Sequence, residues 1–236
     1  MSKPNFEGVV RIPAGAQDAR LETLLDMPEC KTDGHQRFVE AAGYILDNLK
    51  TIERTPVGIH LLGKPGSGKT FAAVALARAV YEQADNTFVS VQNMKTTPNL
   101  TFANAYSGEK SHWNPFNPGF GIGVGVLDDV QNDIRSREVF FSAIDDVNHE
   151  GGLLIVTSNE TDPMFYRDSP ESHKTTNDYM AEDFLKDRVD MSRPVADRNE
   201  ENEQQRIFSR ISGTMMPIIF DTSVDLRATG GFWKDF

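Results

Sequence analysis

Short β-branched apolar runs alternate with stretches of helical spacing through most of the 236-residue chain. Val57 to Leu62 has the length and composition of a buried strand, and the alanine-rich run from Phe71 to Tyr81 reads as the helix that follows it. Thr87 to Val91, Ile122 to Leu127, Leu153 to Asn159 and Met216 to Asp221 read as further strands. From His35 to Lys50, Phe38, Val39, Ala42, Ile45, Leu46 and Leu49 recur at helical spacing and predict a helix leading into the first strand. Ser136 to Asn148 predicts another, with Val139, Phe140, Ala143, Ile144 and Val147 on its inner side, and Gln204 to Ser212 a third. Strands and helices in alternation imply an α/β fold in which a parallel sheet lies between two helical layers. The length suits one such domain with small appendages.

The pattern breaks in four places. Residues 1–34 carry Pro4, Pro13 and Pro28 and read as an arm of short elements, so that 1–55 form an arm and lead-in helix ahead of a core at 56–229. Residues 92–121 form an irregular loop rich in Asn, Pro, Gly and aromatics, centred on Trp113 to Gly119. Its Trp113, Phe116 and Phe120 have two readings, stacking on bases or packing that pins the loop. Residues 161–205 hold 12 acidic against 6 basic side chains and read as a solvated connector with one short helix around 178–189. Residues 230–236 form a glycine-then-aromatic tail that either docks on a partner or packs on its own domain.

Between the first strand and its helix lies Gly63-Lys64-Pro65-Gly66-Ser67-Gly68-Lys69-Thr70, with Phe71 opening the helix. Strand, glycine loop and helix together are the context of a phosphate-binding loop. The glycines let successive backbone N–H groups turn toward an anion, and the helix N-terminus adds partial positive charge. In such a loop Lys69 reaches the β- and γ-phosphates and the Thr70 hydroxyl sits on Mg2+. Hydrolysis needs in addition a carboxylate for the metal and a group that orients water. Asp128 and Asp129, closing the strand Val124 to Leu127, supply both: Asp128 as the metal carboxylate and Asp129 as the group that polarises water. Asn159 ends the next strand, and its amide reaches the γ-phosphate or the water if that strand lies between those of the loop and of Asp128. Arg210 has two readings, a surface ion pair or an arginine finger completing a neighbouring subunit's site.

Charge and composition narrow the partners. A formal charge of −11 disfavours a free-standing nucleic-acid binder unless the charge is strongly segregated. The single cysteine, Cys30, excludes an internal disulfide and fits a reducing cytosol. No Cys/His cluster has zinc spacing, no apolar run has transmembrane length, and the N-terminus lacks a signal pattern.

The order Gly-x-x-x-x-Gly-Lys-Thr, Leu-Asp-Asp, Ile-Val-Thr-Ser-Asn, Ser-Arg-Ile resembles the AAA+ ATPases of the DnaC/IstB type, the bacterial and phage replicative-helicase loaders and transposition helper ATPases. The resemblance runs from about Pro56 to Arg227. It implies a three-layer P-loop NTPase fold with little or no C-terminal lid. It also implies ATP or ADP with Mg2+ as ligands, Asp129, Asn159 and Arg210 as the catalytic set, and Arg227 as a second arginine contacting nucleotide in cis. The implied partners are further copies of the chain across the ATP site, a replicative helicase and single-stranded DNA, in the cytoplasm of a bacterial or phage-infected cell. Three features depart from the pattern. Residues 1–55 are too short for the usual helicase-binding domain, an irregular loop stands where a DNA-contacting helix is expected, and the connector is longer and more acidic. A nucleotide-gated adaptor or transposition-type regulator with little hydrolysis is the alternative.

Overall fold

The computed structural model describes residues 5–13, 15–26, 31–94, 116, 121–131, 134–159 and 213–221. Apart from Gly213 they belong to one compact unit. Its strands are β1 (Pro56–Gly63), β2 (Thr87–Asn93), β3 (Ile122–Val130), β4 (Gly152–Ser158) and β5 (Met215–Phe220), all parallel, in the order β2-β3-β4-β1-β5. The helices are α1 (Phe6–Val9), α2 (Leu21–Asp26), α3 (Asp33–Asp47), α4 (Leu49–Ile52), α5 (Lys69–Gln83) and α6 (Ile134–Glu150).

Side chains alternate across each strand, so every inner strand feeds both helical layers. Ile59 and Leu61 of β1, Val124 and Val126 of β3, and Leu153 and Ile155 of β4 pack in one cluster with α3 and α5. The alternate residues His60, Leu127, Leu154 and Val156 are buried on the side of α6, where the Phe140 ring lies 5.4 Å from that of His60. Near-continuous apolar strands are what a sheet covered on both faces requires.

Helix α5 is buried nearly all round, which its alanines allow: Ala72, Ala73, Ala75 and Ala77 let the backbone approach its neighbours closely. Its outer side is covered by the N-terminal segment, whose Phe6, Val10, Ala16, Ala19 and Leu24 join the core cluster. Here the structure adds to the expectation of an arm of short elements, because those elements help to enclose the central helix. Arg78 is the reason they hold. Its buried guanidinium donates to the Glu7 carboxylate and to the Gln17 carbonyl and lies 5.0 Å from the centre of the Phe6 ring. A buried cation bonded through both terminal nitrogens and placed over an aromatic ring ties the segment to α5.

Of the loop aromatics, Phe116 is described and buried, and its ring would lie 2.9 Å from a Cβ built at Gly152. For this residue the packing reading holds. Trp113 and Phe120 lie outside the described residues.

Burial pushes the pKa of His60 down to about 3. A histidine takes up a proton in the unfolded chain near pH 6.5 but not in this fold, so stability is full above pH 6.5 and falls as the pH drops toward 3. Urea unfolding should therefore lose stability between pH 6.5 and 5 with a contribution from His60 approaching about 1.4 kcal/mol per pH unit. His60→Leu should flatten the profile by that amount; an unchanged slope would contradict the buried neutral state.

Candidate functional site

The carboxyl ends of the strands carry the polar residues, the edge at which open parallel sheets bind ligands. At the end of β1 the chain turns through Gly66 and Gly68, whose φ values of 83° and 89° lie in the left-handed region that glycine tolerates. Helix α5 starts at once, at Lys69. The Lys69 ammonium folds back into the loop, donating to the Gly63 carbonyl at 2.9 Å, the Lys64 carbonyl at 2.7 Å and the Ser67 hydroxyl at 3.3 Å.

Asp128 lies across from the loop. The Thr70 hydroxyl donates to Asp128 Oδ1 at 2.6 Å. Thr157 Oγ1 donates to the same oxygen at 2.8 Å, and Asn93 Nδ2 donates to Oδ2 at 2.7 Å. The carboxylate is buried, and these donors from α5, β4 and β2 meet the requirement that a buried charge be hydrogen-bonded.

β3 is irregular at this point. Its register with β4 shifts between Leu127 and Val130, and Asp129 takes φ 63°, the one positive value among described non-glycine residues. Aspartate is among the residues that tolerate this region, and a bulge re-aims side chains. The turned backbone is held by Asp129 N donating to Thr157 Oγ1 at 2.9 Å. Asn159 Nδ2 then donates to Asp129 Oδ1 at 2.6 Å. Because β4 lies between β1 and β3, the strand-order condition for Asn159 is met.

Lys69, Thr70, Asp128, Asp129 and Asn159 thus gather at one sheet edge. Arg210 and Arg227 lie outside the described residues, as do most of the 92–121 loop, the 161–205 connector and the 230–236 tail. Sequence reasoning missed Asn93, Thr157 and His35. Thr157 had a signal, a polar residue inside a buried run two positions before Asn159 and hence on the same strand face. Asn93 had only its place after a predicted strand. His35 sits in the first turn of α3 beneath the loop: its Nε2 is 3.3 Å from the Ser67 carbonyl, its Nδ1 is 2.7 Å from Thr32 Oγ1, and its ring centre is 4.1 Å from that of Phe220. Burial lowers its pKa to about 4 against the opposing pull of the Ser67 carbonyl, so the ring is neutral at pH 7. No cluster of three or more His, Cys, Asp or Glu side chains with metal-holding geometry occurs among the described residues, and no described helix is long and apolar enough to cross a membrane.

No family model matches the chain, and no curated protein matches it in sequence. Solved structures do match in fold. The crystal structure of the DnaC helicase loader aligns with a TM-score of 0.54 at 17% identity, covering 89% of this chain and 100% of that one. The crystal structure of DnaI aligns with a TM-score of 0.50 at 18% identity, covering 93% of this chain and 98% of that one. A putative primosome component from Streptococcus pyogenes serotype M3 aligns with a TM-score of 0.51 at 16% identity, covering 91% and 94%. The five-stranded parallel sheet with helices on both faces is therefore the fold that the DnaC helicase loader and DnaI structures share.

Proposed function

We propose that this chain is an ATP-binding and ATP-hydrolysing AAA+ protein that assembles on or remodels a partner in DNA replication, as a DnaC-like helicase loader acting with single-stranded DNA. The observation that carries this reading is the Thr70–Asp128 contact at 2.6 Å beside Lys69, with Asn159 on Asp129 next to it. A hydroxyl and a carboxylate of hard oxygen character, brought together at the start of a helix, are the residues that would hold a Mg2+ ion. Lys69 and backbone N–H groups of the Gly63–Thr70 loop would hold the triphosphate, and Arg227 would contact the nucleotide in cis. Mg2+ supplies charge neutralisation on the phosphates when bound. Asp129 then accepts a hydrogen bond from the attacking water and turns its lone pair toward phosphorus, while Asn159 fixes the Asp129 carboxylate and marks the γ-phosphate side.

The helicase assignment draws support from two fold neighbours, a helicase loader and a putative primosome component. The fold also suits self-association, with Arg210 entering the next copy's site. The setting that fits is the cytoplasm of a bacterial or phage-infected cell.

Two sets of variants test the reading. Lys69→Ala should weaken ATP binding at least about tenfold in calorimetry, since one charge-assisted contact is worth roughly 1.5–3 kcal/mol. Asp129→Asn should leave ATP binding near wild type and lower phosphate release about 10²-fold or more. Wild-type protein that binds ATP yet releases no phosphate at high concentration, with or without single-stranded DNA, would favour the nucleotide-gated adaptor instead. Arg210→Ala should keep ATP affinity and lose the rise in turnover that comes with assembly, by about 10³-fold for a finger acting in trans. Unchanged turnover in that variant would remove Arg210 from the site.

A further inference from the structure

We infer that His35 is a positioning residue for the phosphate-binding loop, acting through the Ser67–Gly68 peptide; the inference rests on the nucleotide-binding reading above. His35 comes from α3, which precedes β1 and shares no motif with the loop. It reaches the loop because α3 begins unusually close to β5: a Cβ built at Gly34 would stand 1.8 Å from the Ile219 carbonyl oxygen, so only glycine fits there. The next residue is thereby pressed against Phe220 and under Ser67, where it is 1% exposed.

The hydrogen bonds fix the tautomer. The Ser67 carbonyl can only accept, so His35 Nε2 carries the proton and donates to it. Nδ1 is then the bare nitrogen and accepts from the Thr32 hydroxyl at 2.7 Å. Thr32 is itself the N-cap of α3, so the relay runs from helix cap to imidazole to loop carbonyl.

The consequence lies on the other side of the same peptide. In a trans peptide the carbonyl and the following N–H point in opposite directions. Holding the Ser67 carbonyl toward α3 turns the Gly68 N–H away from α3 and into the loop. The Gly68 carbonyl is tied separately, accepting from Ala72 N at 2.9 Å as the first turn of α5. With both carbonyls flanking the Gly68 N–H anchored, a residue at φ 89° that glycine would otherwise leave free to flip is held in the anion-binding orientation. His35 touches no phosphate in this scheme. It acts by removing the alternative peptide orientation before ligand arrives.

The shapes of glutamine and asparagine separate this role from packing or polarity. The amide nitrogen of glutamine falls near imidazole Nε2, whereas that of asparagine falls near Nδ1 and cannot reach Ser67. Binding of ADP and of inorganic tripolyphosphate should be measured by calorimetry on the full chain and on His35→Gln, His35→Asn and His35→Leu. His35→Gln should bind both ligands within about threefold of wild type, while His35→Asn and His35→Leu should each lose about tenfold for both. Thermal midpoints should not follow the same order, because leucine preserves the contact with Phe220. Equal affinity in all four proteins, or loss in His35→Gln matching that in His35→Leu, overturns the positioning role alone. Wild-type protein that binds neither ligand overturns the nucleotide reading and this inference with it. Should the leucine variant not fold, the imidazole ¹⁵N shifts of the wild type decide: a neutral Nε2–H ring at pH 7 supports the relay, and an Nδ1–H ring refutes it.

Discussion

A buried carboxylate has to be met by donors, and Asp128 draws its donors from separate parts of the fold. Thr70 comes from α5, Thr157 from β4 and Asn93 from β2. These elements can reach one side chain only if β3 lies between β2 and β4 and if α5 begins at the sheet's carboxyl edge. The observed order and the short turn from Gly63 to Lys69 provide both. The cost of leaving a charge unpaired in the interior is several kcal/mol, more than most single contacts contribute. The site and the strand order therefore stabilise one another, and a register slip in β2 or β4 would remove a donor as well as expose a core face.

The same edge depends on a helix that cannot be solvated. α5 carries Lys69 and Thr70 at its start and is apolar on nearly every side after them. A helix of that character has to be enclosed, and the sheet with α3 covers only part of it. The N-terminal segment closes the remainder, locked by Arg78 against Glu7, Gln17 and Phe6. Residues far ahead of the loop in sequence thus hold the helix that presents it, and His35 links the same preceding region to the loop's peptide geometry.

The linear pattern revealed the strands, the central helices, the glycine loop and the Asp128–Asp129 pair, because each rests on local periodicity or contiguous residues. Four predicted strands lie within two residues of their observed bounds, and β3 runs three residues past its predicted end, to Val130. Asn159 was legible as a strand-end polar group, and its partner Asp129 followed once the strand order was known. Thr157 showed only as a polar residue on the strand face of Asn159, and Asn93 and His35 were not legible as site residues. Asn93 meets Asp128 through the β2–β3 register and Thr157 through the β3–β4 register, while His35 meets the loop through the close approach that Gly34 permits. None of these is a property of neighbouring residues, so periodicity does not report them. The mutual register of strands and helices is set by the whole core.

The register shift in β3 also explains how two adjacent aspartates can take different tasks. In a regular strand, side chains at 128 and 129 would point to opposite faces, one of them into the layer of α6. The left-handed turn at Asp129 breaks that alternation, leaving Asp128 among Thr70, Thr157 and Asn93 and Asp129 with Asn159. Such a backbone costs on the order of 1–3 kcal/mol and persists only where its surroundings over-determine it. Thr157 does so from both directions, since its hydroxyl accepts from Asp129 N while donating to Asp128 Oδ1. One hydroxyl therefore ties the Asp128 carboxylate to the Asp129 backbone. A residue without that hydroxyl would take one hydrogen bond from each at once, so the pair behaves as a linked, preorganised unit whose two members are distinguished by backbone geometry rather than by residue type.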